Sequence, residues 1–147
     1  MSKLRIYQVS PSRCIRLDAS SFVVLFLMLI VPGYALSQRA AAIDWRLLAG
    51  VPLVLSAITF FAYRSDKRRA EAEAWRIPES TLHLLAVLGG WPGAFLAQRL
   101  FRHKTAKSSF QFVFWVVVLT HEFMAVDSLW DWRLTKDLVR VIRTQTG

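Results

Sequence analysis

The sequence is poor in the residues that most catalytic sites are built from. It holds one cysteine, Cys14, which excludes an internal disulfide and a cysteine-based zinc site. Histidines number 3, and His121-Glu122-Phe123-Met124-Ala125 lacks the second histidine of the zinc-protease helix, so no metal is expected. The 6 glycines form neither a phosphate-cradling loop nor a dinucleotide fingerprint. No serine–histidine–aspartate pattern is present either, and no cofactor is implied. Acids are scarce as well: 10 Asp and Glu face 19 Lys and Arg, for a net charge of +9, and residues 80–120 contain no acid at all.

Apolar residues are what the chain has in abundance, 54% of its 147 positions, above the share in an ordinary soluble domain. They come in blocks. Residues 19–38 and 47–63 carry no charge, residues 80–98 carry only His83, and residues 108–130 carry only His121, Glu122 and Asp127. Each block approaches the roughly 20 residues that cross a hydrocarbon core of about 30 Å. The expected fold is therefore all-α: a polytopic integral membrane protein with about four transmembrane helices. Its parts are a basic cytoplasmic leader (1–18), a first span (19–38), a membrane module (47–130) with helices near 47–63, 80–101 and 108–130, and an amphipathic tail (131–147). A cleaved signal peptide is the competing reading of residues 1–37, because small residues near Ala35-Leu36-Ser37 follow the apolar run. A basic leader of about 20 residues and an apolar run long enough to anchor favour a retained span.

The first three blocks are interrupted at Pro32-Gly33, Gly50-Val51-Pro52 and Gly90-Trp91-Pro92-Gly93. A membrane tolerates such breaks where neighbouring helices satisfy the freed backbone groups. Gly89, Gly93 and Ala97, with Gly90 beside them, place small residues where another helix can approach closely. The same segment could instead turn back as a re-entrant hairpin at Gly89–Gly93. A full crossing by a kinked, close-packing helix is the expectation, because the block is long enough to cross and a re-entrant bend is not required. Trp45, Trp75, Trp130 and Trp132 flank the blocks as interfacial anchors. Between the second and third blocks a short cytoplasmic amphipathic helix is expected, with the third span starting near Pro78. Leu134, Leu138, Val141 and Ile142 recur at helical spacing in the tail, which should lie on the membrane surface.

Orientation is ambiguous. Four spans with both termini inside place thirteen of the 19 Lys and Arg inside; a re-entrant third block, which sends the tail out, gives the same number. The acid-free run makes Arg99, Arg102, His103, Lys104 and Lys107 a basic cluster whose counter-charge is absent nearby. It could sit among lipid phosphates, hold an anionic ligand, or be neutralised by Asp66, Glu71, Glu73 and Glu79. On a continued helix Arg99, His103 and Lys107 would share a face. His121 and Glu122 would lie near mid-membrane if the fourth block crosses fully, with His83 or a basic residue as partner.

The ordered series Asp66-Lys67, Ala70, Trp75-Arg76-Ile77-Pro78-Glu79, Leu82, Gly89-Gly90, Gly93-Ala94 and Phe101-Arg102-His103-Lys104-Thr105-x-Lys107 resembles a small bacterial membrane family, domain of unknown function 1294. The likeness covers about residues 63–114 and implies a helix before the Asp-Lys motif, the Gly-Gly helix, and a helix after the His-Lys-Thr motif. It implies no activity. Some members carry an N-terminal cold-shock domain; the leader is too short for one, and direct nucleic-acid binding is not expected. The expected function is a non-enzymatic interaction or anionic-lipid-binding module of the bacterial inner membrane, with membrane lipids, a second copy or another membrane protein as partners. The alternatives are a lipid-directed enzyme using His103 and Asp66, and a small oligomeric transporter component using His121 and Glu122.

Overall fold

The computed structural model describes residues 19–39, 44–102 and 104–146. The leader with Cys14, residues 40–43, His103 and Gly147 lie outside the described residues, as do the side chains of Trp45, Leu48 and Thr146. Five helices and no strand make up the described part: α1 (Ala19–Arg39), α2 (Trp45–Glu71), α3 (Glu79–Phe101), α4 (Ser108–Leu129) and α5 (Arg133–Thr146). Of these, α1, α3 and α4 are long and apolar enough to cross a membrane. The expected separate helix between the second and third blocks is absent, because α2 runs through its helix-forming residues to Glu71.

Helix α3 does not run straight. Its first arm ends at Leu85, a wide turn follows over Ala86–Gly90, and a return arm occupies Trp91–Phe101. Gly89 has φ +109°, a conformation that a residue with a Cβ rarely adopts. Proline at the second position of the return arm then suits a helix start, where no backbone N–H is needed. Contacts with α2 give the direction of each arm. Asp66 accepts a hydrogen bond from the N–H of Ile77, just before the first arm, and Lys67 donates to the carbonyl of Phe101, the last residue of the return arm. Both ends of α3 therefore lie at one level of α2. The middle lies elsewhere: a Cβ on Gly90 would press on Thr59 Oγ1 and come within 2.9 Å of the Leu55 carbonyl. At 1.5 Å per residue, that is about 12–18 Å back along α2. The third block, expected from its length to cross fully as a kinked helix, is thus a helical hairpin, and its cause is the Gly89-Gly90-Trp91-Pro92-Gly93 sequence.

Small residues make the close packing possible, with one change from the expected stripe. Gly90, Gly93 and Ala97 are buried, and a Cβ on Gly93 would strike the Ser56 backbone, whereas Gly89 forms the bend. Around the hairpin, α4 runs antiparallel to α2, its Phe110 ring edge-on to Tyr63. Helix α1 packs along α4 in parallel, and Arg39 at its C-terminus donates to the Ser128 carbonyl at 2.7 Å. One end of the bundle accordingly gathers the end of α2, both ends of α3 and the start of α4. The opposite end holds the end of α1, the start of α2 and the α4–α5 junction.

Asp127, the third charge of the fourth block, is explained at that junction. Fully buried, it accepts from the N–H groups of Leu134 and Thr135 at 2.9 and 3.1 Å and so satisfies the first turn of α5. The chain turns there through positive φ at Asp131 and Trp132. The tail is helical as expected, with Leu134, Leu138, Val141 and Ile142 all exposed.

These contacts rank the glycines. Gly93→Ala should lower the unfolding temperature of the detergent-solubilised protein, corresponding to roughly 1–3 kcal/mol of overpacking. Gly33→Ala, where a new Cβ meets nothing within 4 Å, should not. Equal effects in circular-dichroism melts would contradict the hairpin packing.

Candidate functional site

At the end where α2, α3 and α4 converge, the short motifs of the sequence meet. Asp66 stands on the last turns of α2 with no exposed surface. Its Oδ1 accepts from Ile77 N–H at 2.9 Å, and its Oδ2 lies 3.2 Å from the Lys104 ammonium. Lys104 also approaches Glu79 Oε1 at 3.5 Å, and Lys107 grips the Glu79 carboxylate at 2.8 and 2.9 Å. Asp66 before the hairpin and Glu79 at its first residue thus bind two lysines from the segment after it. The counter-charge missing from residues 80–120 comes from Asp66 and Glu79.

Local backbone geometry delivers these lysines. The return arm ends at Phe101, where Lys67 donates to the last carbonyl at 2.9 Å and complements the negative helix end. Arg102 then takes φ +46° and Lys104 φ +62°, so the chain turns sharply and Lys104 points inward. Its ammonium sits 5.1 Å from the centre of the Phe110 ring, a cation–π distance. His83 stacks on the same ring at 4.2 Å. A layer of uncharged polar groups lies deeper: Gln111 donates to Gln98 at 2.6 Å and to the Lys104 carbonyl at 3.1 Å, and Gln98 reaches the buried Tyr63 hydroxyl at 3.4 Å. Sequence reasoning passed over Tyr63, Gln98 and Gln111. The available signal was an amide inside an otherwise apolar stretch, which must find a partner once buried.

The other candidate residues have different surroundings. Arg99 is exposed, its guanidinium 5.2 Å from the Phe95 ring, and Arg102 is exposed. The helix expected to align Arg99, His103 and Lys107 is broken, because α3 ends at Phe101 and α4 begins at Ser108. His103 itself lies outside the described residues. Lys67 also approaches Glu71 at 3.7 Å; Trp75 is 85% exposed and Arg76 is exposed. A small polar cavity of about 170 Å³ opens between the return arm and α4, lined by Gln98, Arg99, Thr105 and Gln111 among others. His121 and Glu122 are on α4, far from this end. His121 Nδ1 lies 2.9 Å from the Val117 carbonyl, and Glu122 Oε1 is buried with no hydrogen-bond partner among the described residues. His83, held against Phe110, is not the partner expected for Glu122. Among the described residues no group of three or more His, Cys, Asp or Glu could hold a metal.

The converging motifs coincide with a recognised sequence family. The model for "Protein of unknown function (DUF1294)" matches residues 56–110, from the α2 residue that contacts Gly93 to the ring beneath Lys104. The uncharacterized protein YsdA of Bacillus subtilis (strain 168) is 35% identical over 66 residues, which cover 45% of this chain and 74% of that protein. The chain belongs to this DUF1294 family. No solved structure matches it significantly. In structural terms, the matched segment is the second half of α2, the whole hairpin and the turn that returns Lys104 to Asp66; α1, most of α4 and α5 surround it.

Chemically, the site is a charge clasp. A buried ion pair adds little net stability over an apolar packing of equal volume, but removing one partner strands a buried charge. Lys104→Met should therefore destabilise the protein by about 3–5 kcal/mol, and the double variant Asp66→Asn with Lys104→Met should recover most of that loss. Chemical denaturation followed by tryptophan fluorescence would show it. Equal instability of the single and double variants would contradict the clasp.

Proposed function

We propose that this chain is an integral protein of the bacterial inner membrane in which α1, α4 and the uncharged 47–63 stretch of α2 cross, and the α3 hairpin enters and returns on one side. Support comes from the apolar surface. Phe26, Leu53, Phe112 and Leu119 are each more than 60% exposed, and apolar exposure spread along three long helices suits lipid rather than water. In this reading the leader and both ends of the hairpin face the cytoplasm, which accords with the excess of Lys and Arg there.

The proposed function is a non-enzymatic module that seats its cytoplasmic end among anionic lipid headgroups. One observation carries it: the clasp brings residues 64–79 and 99–107 together, and these hold nine Lys and Arg against four acids. Lys104 and Lys107 are committed to Asp66 and Glu79, so the lipid-directed charge falls to Arg99, Arg102 and the exposed arginines of α2. Phosphate groups attract such a collar by about 1 kcal/mol per basic residue near the surface. A lipid-directed enzyme would need Asp66 to orient His103, and that carboxylate already receives Lys104 and Ile77 N–H.

In nanodiscs, phosphatidylglycerol should raise the unfolding temperature relative to phosphatidylcholine. The Arg99→Gln, Arg102→Gln double variant should lose about 1 kcal/mol of that increment per arginine. A lipid response unchanged by the double variant would overturn the assignment. The buried Glu122 Oε1, without a hydrogen-bond partner among the described residues, supports a second reading, a proton-carrying role for His121 and Glu122 in an oligomer. Proton uptake by liposomes that Glu122→Gln abolishes would establish it, and none in the wild type would dismiss it.

A further inference from the structure

The hairpin reaches only part of the way along α2, so among the described residues the opposite half of the bundle has three long helices and no fourth element between them. An open apolar cavity of about 600 Å³ occupies that place, within the range of small-ligand sites. Its floor is the hairpin tip, Gly89 and Trp91, and its walls include Leu29, Pro52 and Met124. A second apolar cavity of about 490 Å³ shares Leu29, Pro52 and Pro92 with it, so the groove continues along α1. From Leu29 to Arg39 the α1 wall is about 15 Å long at 1.5 Å per residue.

The rim carries a charge that the walls lack. Arg39 lines the cavity at the end of α1, and its guanidinium donates to a main-chain carbonyl, that of Ser128, rather than to a carboxylate among the described residues. A guanidinium held in place over an apolar slot complements a molecule with an anionic head and a long tail.

We infer that this cavity binds one acyl chain bearing an anionic head group, with the head at Arg39 and the tail running down α1 to the hairpin tip. The site is separate from the basic end and holds whether or not that end seats on headgroups. Gly33 supplies a test, because it lines the cavity and a Cβ added there meets nothing within 4 Å. Gly33→Phe should fill part of the slot with its ring.

The full-length protein in a neutral sugar detergent would be titrated with oleate and with oleyl alcohol, and bound molecules counted by native mass spectrometry. Wild-type protein should bind a single oleate saturably and prefer it to the alcohol. Gly33→Phe should weaken both ligands by roughly tenfold or more, whereas Arg39→Gln should weaken oleate by about tenfold, the scale of one charge-assisted hydrogen bond, and leave the alcohol unchanged. Should Gly33→Phe not fold, the change in oleate preference of the Arg39→Gln variant decides alone. Unsaturable uptake, equal affinity for acid and alcohol, or oleate binding indifferent to Arg39→Gln would overturn the inference.

Discussion

A carboxylate with no exposed surface needs a cation, and Asp66 obtains one from Lys104 on the far side of the hairpin. That pairing constrains the rest of the structure. It requires residues 64–79 and 99–107 to share one end of the bundle, which a straight α3 would forbid. The energetic weight lies in specificity more than in net stability, since a matched buried pair roughly offsets its own desolvation while an unmatched one does not. Glu79 and Lys107 repeat the pairing nearer the surface, where solvent screens it and its contribution is smaller.

The hairpin answers the other half of the problem, how an apolar helix reverses against α2. Backbone groups freed at a bend are costly where no water is available. Gly89 supplies the positive φ, Pro92 removes one orphan N–H, and Gly90 and Gly93 allow the turn to lie directly against the α2 backbone. Because the bend stops partway along α2, the bundle is filled at one end and hollow at the other. The charge clasp and the apolar cavity are thus two consequences of one short insertion.

The all-α fold was legible from the uncharged blocks, because apolar runs of that length suit long helices. The need of Lys104 and Lys107 for outside counter-charge was legible too, from the empty acid count of residues 80–120. What local pattern could not decide was the path of the third block. Its length permits a crossing, its glycines permit a bend, and both give the same count of positive charge on one side. The deciding contacts, Ile77 to Asp66 and Phe101 to Lys67, join residues distant in sequence. Asp127 was opaque for a similar reason: within its own block it reads as a membrane charge, and only α5 reveals it as a cap. The extension of α2 to Glu71 followed ordinary helix propensity, which the punctuation of charges had concealed.

The central claim is that the two ends of α3 face the same compartment, and side-specific labelling tests it most directly. With Cys14 replaced, single cysteines at Ser65 and Ser109 would be exposed to a membrane-impermeant maleimide in intact and in permeabilised cells. Both sites should be protected in intact cells and labelled together after permeabilisation. Labelling of one site from outside and the other only from inside would contradict the hairpin and the Asp66–Lys104 clasp with it.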